Sequence, residues 1–241
     1  MPIALTSQFI SLEEFEHLLH TQEKLVLADE LKESIQNCRT YLNQKVAQST
    51  QLIYGVNTGF GSLCDTAISK EELSTLQRNL VCSHACGMGE EVPQEVVRRM
   101  LLLKVLGLSK GASGVQLATV ERLLFFFNEQ IYPVVYQQGS LGASGDLAPL
   151  AHLSLPLIGQ GEVYFENQKI KSSELNKRFN LKPIVLQSKE GLALLNGTQF
   201  MSAYASYAVA TSYRLFEGFN QVAALSMEAY DARKEPFEAN V

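Results

Sequence analysis

Residues 139–152 read GSLGASGDLAPLAH, a glycine-dense turn followed at once by an apolar segment. Within this turn the amide nitrogen of Gly145 can attack the carbonyl carbon of Ala143 and close a five-membered ring, provided that the backbone is compressed into a near-attack geometry. Loss of two waters, one of them from the Ser144 hydroxyl, would leave an exocyclic methylidene. Glycine at position 145 carries no Cβ that could block closure. The stretch therefore predicts an electrophile made from the chain itself.

Two further motifs accompany this turn. Residues 54–61 read YGVNTGFG, and residues 194–199 read LLNGTQ. A second Ala-Ser-Gly at 112–114 lacks the Asp-Leu-Ala-Pro that follows residue 145, so we interpret it as an ordinary turn between helices. The three motifs, in this order and spacing, resemble those of the aromatic amino acid ammonia-lyases, the family of histidine, phenylalanine and tyrosine ammonia-lyases.

The resemblance implies a prosthetic group and the residues around it. Ala143, Ser144 and Gly145 would form 4-methylidene-imidazol-5-one, with no metal or nucleotide needed. Tyr54 matches the catalytic base that takes a β-proton from the substrate, which requires its pKa to be lowered from about 10. Asn196 matches an asparagine whose amide bonds the ring carbonyl or the substrate amine, although local bonding to backbone is the alternative.

The resemblance also implies a substrate. Ser83 and His84 stand where the family selects the substrate ring, and Gly61 lies in the substrate loop. Histidine-using members typically carry Ser-His here, which favours conversion of L-histidine to trans-urocanate and ammonia. Some tyrosine-using members carry the same pair, so a tyrosine or phenylalanine ammonia-lyase, or an aminomutase, stays open. A truncated, non-catalytic helical relative is the alternative of another class.

Composition limits the classes of function that remain. The chain has 241 residues, 46% of them hydrophobic and 19% charged, as in soluble globular proteins. A net charge of −5 without a basic cluster argues against nucleic acid as a partner. Residues 191–213 are uncharged but too polar for lipid, which predicts a helix buried on all sides within protein and no membrane association.

The cysteines and the N-terminus predict a cytoplasmic protein. The segment 1–5 lacks the charge and the long apolar run of a secretory signal. Four cysteines in such a chain favour free thiols in a reducing compartment. Cys82, His84 and Cys86 do not predict a metal site, because on a helix His84 would point away from the face that the two cysteines share.

Apolar spacing predicts a mostly α fold, a long helical bundle with glycine-rich active-site loops and a small surface hairpin. We expect residues 1–241 to form one structural unit, the amino-terminal half of an ammonia-lyase-like fold, because the family runs to about twice this length. The family assembles as a homotetramer. The chain alone is expected to be inactive, since the family's other half supplies the arginine for the substrate carboxylate.

The local predictions are as follows. Capping boxes at Ser11/Glu14 and Ser69/Glu72 open two helices. The helices are expected over 12–20, 25–48, 70–86, 94–103, 115–127, 147–158, 173–178 and 190–230. Gly87 and Gly89 are expected to end the third, and the last is expected to kink near Gly197 or Gly218. The hairpin is expected over 162–171 with its turn at Asn167-Gln168.

Overall fold

A computed structural model of the chain describes residues 1–48, 52–58, 68–69, 72–142 and 145–239. Three residues predicted to serve the site, Gly61, Ala143 and Ser144, lie outside these ranges. The chain divides into two compact units, Met1–Ala203 and Tyr204–Val241. All further predicted site residues belong to the first unit.

The described elements are mainly helical, which confirms the predicted fold class. The helices are α1 Leu12–His20, α2 Asp29–Gln48, α3 Leu73–His84, α4 Gln94–Ser109, α5 Leu117–Asn128, α6 Leu147–Ser154, α7 Ser172–Arg178, α8 Glu190–Leu195 and α9 Gln199–Ala229. The strands are β1 Ile3–Leu5, β2 Leu25–Leu27, β3 Met88–Glu91, β4 Tyr132–Pro133, β5 Tyr136–Gln138, β6 Glu162–Phe165 and β7 Gln168–Lys171. Two 3-10 turns, Leu155–Ile158 and Glu235–Phe237, complete them.

The two predicted capping boxes have different outcomes. At α1 the Ser11 hydroxyl accepts from the Glu14 N–H at 3.1 Å, and the Glu14 carboxylate accepts from the Ser11 N–H at 2.7 Å, as predicted. The box at Ser69 is wrong, because its hydroxyl donates to the Glu72 carboxylate at 2.8 Å. Helix α3 begins only at Leu73, with no side-chain cap.

The helix predicted from residue 25 begins later. Leu25 and Leu27 are buried whereas Val26 is 39% exposed, an alternation with the period of a strand. These residues form β2, which pairs in parallel with β1. Helix α2 starts at Asp29, where two acidic residues in the first turn favour a helix N-terminus. The prediction failed because three apolar residues fit both periods.

The core lies around α4 and α5, which pack against each other. Met100, Leu101, Leu102 and Val105 of α4 are wholly buried, together with Phe126 of α5. Pro93 directly precedes α4, as a first-turn proline should. Beside this pair, α3, α6 and α8 meet through a cluster of Leu80, Ala151 and Leu195. That second packing region brings the predicted site motifs together.

The predicted surface hairpin is present. Strands β6 and β7 pair antiparallel, and β4 extends them to three strands in the order β4-β6-β7. The turn lies at Glu166-Asn167, one residue earlier than predicted, with φ values of 51° and 60°. Two consecutive residues with positive φ are the signature of a tight type I′ hairpin turn. Strands β3 and β5 form a separate antiparallel pair.

The helical pattern predicted over 190–230 is broken at one of the two glycines where a kink was expected. Helix α8 ends at Leu195 and α9 begins at Gln199, with Gly197 between them at φ +151°. Helix α9 runs through Gly218 without interruption. The prediction that residues 191–213 are buried on all sides is not met within this chain, since Val209 and Tyr213 are 45% and 65% exposed. No helix of the described ranges is both long and apolar enough to span a bilayer.

The two glycines should respond oppositely to alanine. At Gly197 a Cβ would meet the Gln199 side chain at 2.2 Å, in a backbone conformation that alanine rarely adopts. We expect Gly197→Ala to lower the free energy of unfolding by about 1 kcal/mol or more. At Gly218 a Cβ meets nothing within 4 Å, so Gly218→Ala should raise helix stability by up to about 1 kcal/mol. Urea denaturation followed by circular dichroism measures both, and changes of the same sign would contradict this account.

Candidate active site

Asn196 stands at the break between α8 and α9. It is the C-cap of α8, and its N–H donates to the Leu192 carbonyl at 3.0 Å. Its side-chain Nδ2 donates to the same carbonyl at 3.2 Å. Local bonding to the backbone, the alternative that the sequence left open, is therefore present, and it uses Nδ2 rather than the Oδ1 oxygen. Helix α9 begins three residues later, at Gln199.

Asp146 joins the turn of residues 139–146 to the start of α9. Its carboxylate oxygen Oδ2 accepts from the N–H groups of Phe200 and Met201, each at 3.0 Å. Oδ1 accepts from the Ser140 hydroxyl at 2.9 Å, and the Asp146 N–H donates to the Gly197 carbonyl at 2.8 Å. The side chain is fully buried. Asp146 therefore caps a helix distant in sequence while directly preceding α6.

Gly145 lies against the same segment. Its φ is +110°, and a Cβ at this position would lie 2.8 Å from the Gly197 carbonyl oxygen and 3.0 Å from the Gly197 nitrogen. Both contacts are with backbone, which cannot give way as a flexible side chain could. The close approach of these two chain segments therefore requires glycine at 145.

A cavity of about 500 Å³ opens beside this junction. It brings together three residues predicted from separate motifs, Tyr54, His84 and Asn196. Leu147, the first residue of α6, contributes to the wall next to them. The other described residues that line it are Leu80, Ser113, Lys189, Leu192, Ala193 and Leu195.

A tight turn presents Tyr54 at the cavity. The Ile53 N–H donates to the Asn57 side chain at 2.6 Å, and the Gly55 N–H donates to the Thr58 hydroxyl at 3.2 Å. Gly55 has φ +70°, a conformation that favours glycine. These bonds hold the backbone on both sides of Tyr54, whose side chain is 56% exposed. A tyrosine on such a turn can offer its hydroxyl to a ligand in the cavity.

His84 ends α3 with its ring fixed by a backbone bond. Its Nδ1 lies 2.9 Å from the Leu80 carbonyl, and a carbonyl only accepts, so we assign the hydrogen to Nδ1. In the neutral ring Nε2 is then an acceptor. The Ser83 hydroxyl donates to the same Leu80 carbonyl at 3.1 Å. Among the described residues that line the cavity, His84 is included and Ser83 is not.

Sequence reasoning missed two lysines. Lys104 is 2% exposed, and its Nζ donates to the carbonyls of Ala193 at 2.9 Å and Asn196 at 3.3 Å. Burial lowers its pKa to about 7, and the charge of Asp146 opposes that shift. Lys189 donates from Nζ to the Ser113 carbonyl at 2.6 Å, and burial lowers its pKa. A signal for Lys104 was available, since it is the one charge in the apolar run 100–108.

Two helices, α6 and α9, begin beside the predicted site motifs. The positive potential at a helix N-terminus could polarise a group bound there. The N–H groups at the start of α9 bind the Asp146 carboxylate instead. An anion there offsets the positive end of the helix. The start of α6, beside the cavity, is therefore the helix end that can supply positive potential.

Within the described part of the chain, no group of three histidine, cysteine or acidic residues could hold a metal ion. Cys82 lies in α3, but Cys86 lies beyond the end of that helix, so the shared helical face considered for them does not form. Both thiols are free.

The bonds of Asp146 predict a large effect of a small substitution. Asp146→Asn replaces a charged acceptor of three hydrogen bonds by a neutral amide whose nitrogen cannot accept, so the bonds to Phe200 and Met201 lose the negative charge and the bond from Ser140 must reverse or break. We expect the free energy of unfolding to fall by about 2 kcal/mol. Glu174→Gln, which removes an exposed pair with Arg178, is the matched control and should change it by less than about 0.5 kcal/mol. Equal changes in the two variants, measured by urea denaturation, would refute the capping role.

The chain matches one protein family over nearly its whole length. Residues 10–241 match the family model described as aromatic amino acid lyase. A histidine ammonia-lyase of Geobacillus thermodenitrificans is 44% identical over 239 residues, which cover 99% of this chain and 47% of the relative. One of Legionella pneumophila is 45% identical over 232 residues, 96% of this chain and 46% of the relative. The chain thus spans about half the length of the curated relatives it matches.

Solved structures show the same fold. Histidine ammonia-lyase from Trypanosoma cruzi superposes with a TM-score of 0.87 at 34% identity, over 97% of this chain and 45% of that one. Pantoea agglomerans phenylalanine aminomutase superposes with a TM-score of 0.89 at 30% identity, over 99% and 45%. The family model covers nearly the whole chain, and these similarities lie in both sequence and structure. The chain belongs to the aromatic amino acid lyase family.

Proposed function

We propose that the protein containing this chain removes ammonia from an aromatic amino acid, with L-histidine as substrate and trans-urocanate as product. The observation that carries the proposal is the cavity of about 500 Å³ at which Tyr54, His84 and Asn196 meet. Its size suits one amino acid. Relatives named histidine ammonia-lyase, at 44% and 45% identity, support histidine as the substrate.

His84 supports histidine by its hydrogen-bonding capacity. With Nδ1 committed to the Leu80 carbonyl, Nε2 is an acceptor for an N–H on the substrate ring. An imidazole has such a donor and a phenyl ring has none. A phenol hydroxyl could donate to the same nitrogen, so tyrosine is the competing substrate. The similarity to a phenylalanine aminomutase structure keeps aminomutase chemistry as a second candidate.

Ala143, Ser144 and Gly145 would supply the prosthetic group, 4-methylidene-imidazol-5-one. The described member of the three fits this role, because Gly145 has φ +110° and occupies a space that a Cβ would overfill. Once formed, the ring supplies an electrophile that makes the substrate amino group a better leaving group. Asp146, bonded to Ser140 and to the start of α9, holds the chain directly after the ring. No metal or nucleotide enters the proposal.

Tyr54 and Asn196 complete the chemistry on the protein side. The Tyr54 hydroxyl, presented at the cavity by a hydrogen-bonded turn, would take the β-proton of the substrate as general base. The Asn196 amide would orient the substrate amine or the ring carbonyl. Gly61 and Ser83 remain proposed substrate-binding residues, Ser83 through its contact with the His84 ring at 3.3 Å.

We further propose a cytoplasmic homotetramer, in which residues 1–241 are the amino-terminal half of the fold. Exposed apolar side chains along α9 support assembly, since a contiguous exposed apolar patch marks an interface. The exposed fractions of Leu215, Phe216, Phe219, Val222 and Leu225 lie between 63% and 71%.

The intact mass of the purified 241-residue chain tests ring formation. We expect a deficit of two water molecules, mapped by peptide analysis to residues 143–145. Ser144→Ala should abolish the methylidene and restore one of these waters or both. The second tripeptide, Ala112-Ser113-Gly114, is an internal control and should stay unmodified. An unmodified mass across residues 138–152 would count against the prosthetic group and favour a non-catalytic relative.

Turnover tests the reaction and its base. We expect Tyr54→Phe to keep the mass deficit but to lower kcat by about a hundredfold or more, because the general base is lost. Tyr41→Phe, at a 65% exposed position of α2, is the matched control and should retain full activity. The measurement uses the protein as its own cells produce it, with histidine, tyrosine and phenylalanine compared. Near-normal turnover by Tyr54→Phe refutes the base, and faster turnover of tyrosine than histidine refutes the substrate.

A further inference from the structure

We propose that Lys104 is a positioning residue of the candidate active site, which holds Asn196 in place by a hydrogen bond to its backbone carbonyl. The proposal rests on the proposed function only in taking Asn196 as an active-site residue. It assigns a task to a buried lysine that the chemistry of the cavity does not otherwise use.

The hydrogen bonds of Lys104 end on the segment that carries Asn196. The Nζ atom donates to the Ala193 carbonyl at 2.9 Å and to the Asn196 carbonyl at 3.3 Å. The last carbonyls of a helix have no partner within that helix. Helix α8 ends at Leu195, so Lys104 donates hydrogen bonds to its terminal carbonyls that the backbone of α8 cannot supply.

Asn196 is consequently fixed on both sides of its Cα. Its N–H donates to the Leu192 carbonyl at 3.0 Å, and its carbonyl accepts from Lys104. The next residue, Gly197, has φ +151°. Without Lys104 the Asn196 carbonyl would lose this donor, and the next restraint along the chain would be the bond that the Asp146 N–H donates to the Gly197 carbonyl.

Lys104 cannot act on a substrate directly. Its side chain is 2% exposed, and it is not among the described residues that line the cavity. It acts through the backbone of a residue that does line it. An apolar side chain would fill this position of α4 without the penalty of burying an ammonium group. Burial lowers the pKa of Lys104 to about 7 because the ammonium group loses its hydration, and the charge of Asp146 opposes that shift.

The acidic group that acts on Lys104 lies at the same break between α8 and α9. Asp146 is the acidic group whose field acts on Lys104, and it holds the opposite end of the segment through the N–H groups of Phe200 and Met201. The Lys104 and Asp146 side chains, both buried, therefore hold residues 196–201 through hydrogen bonds from two sides. A substitution at Lys104 should loosen this segment and leave distant helices unaffected.

A double-mutant cycle tests the action through Asn196. Lys104→Met, Asn196→Ala and the double variant are compared with the wild type, in the protein as its own cells produce it. We expect Lys104→Met to lower kcat at least tenfold, yet to change it less than twofold when Asn196 is already alanine. Ser109→Ala, which removes a buried hydroxyl bonded only within α4 to Val105, is the matched control and should change kcat less than twofold. Losses that multiply independently would overturn the proposal.

Amide hydrogen exchange tests the anchoring without any activity. In the 241-residue chain, Lys104→Met should speed exchange in peptides covering residues 192–201 and leave those covering α5 unchanged. Exchange that rises throughout, as in a variant that fails to fold, would make Lys104 a general stability residue and overturn the proposal. Unchanged exchange at 192–201 would overturn it as well.

The two measurements separate this proposal from the proposed function. If the wild-type protein turns over no aromatic amino acid, the proposed function fails while the exchange experiment still decides whether Lys104 anchors Asn196. If the wild type is active and the cycle is additive, the role of Lys104 alone fails.

Discussion

The Asp146 carboxylate accepts hydrogen bonds from the first free N–H groups of α9, while its own N–H donates to the Gly197 carbonyl. These hydrogen bonds join the segment that precedes α6 to the break between α8 and α9, and the geometry of the candidate site depends on them. They require the chain to leave the helix at Asn196, and they bring Gly145 into contact with Gly197. Anions at a helix N-terminus are stabilising, which gives the junction a favourable electrostatic term.

Helix α8 illustrates how much of the site is held by tertiary bonds. It has six residues, too few for a helix to be stable alone. At its start the buried Glu190 carboxylate accepts from the Gln187 N–H at 2.8 Å and from the Thr119 hydroxyl at 2.7 Å. At its end the Lys104 Nζ donates to the carbonyls of Ala193 and Asn196. Charged groups from α4 and from α8 itself therefore define both ends of the element that carries Asn196.

Prediction from sequence worked best where the signal was local, although the local capping box at Ser69 was wrong. The α1 capping box, the proline before α4, the hairpin over 162–171 and the helix after the glycine turn each depend on neighbouring residues. It failed where a competing partner lies far along the chain. Leu25–Leu27 became a strand because Ile3–Leu5 pairs with it, and the long pattern over 190–230 broke where distant groups take the backbone bonds of residues 196–201.

The amino-acid sequence by itself determined the fold class, the family and the three motifs, because each of these is carried by short stretches whose spacing and chemistry can be recognised without coordinates. The convergence of Tyr54, His84 and Asn196 on one cavity was decided only by tertiary structure, as was the burial of Lys104 beneath them. A lysine in an apolar helical run is compatible with a helix whether its side chain faces solvent or the core. Its role follows from carbonyls 89 and 92 residues away, which only packing brings within hydrogen-bonding distance.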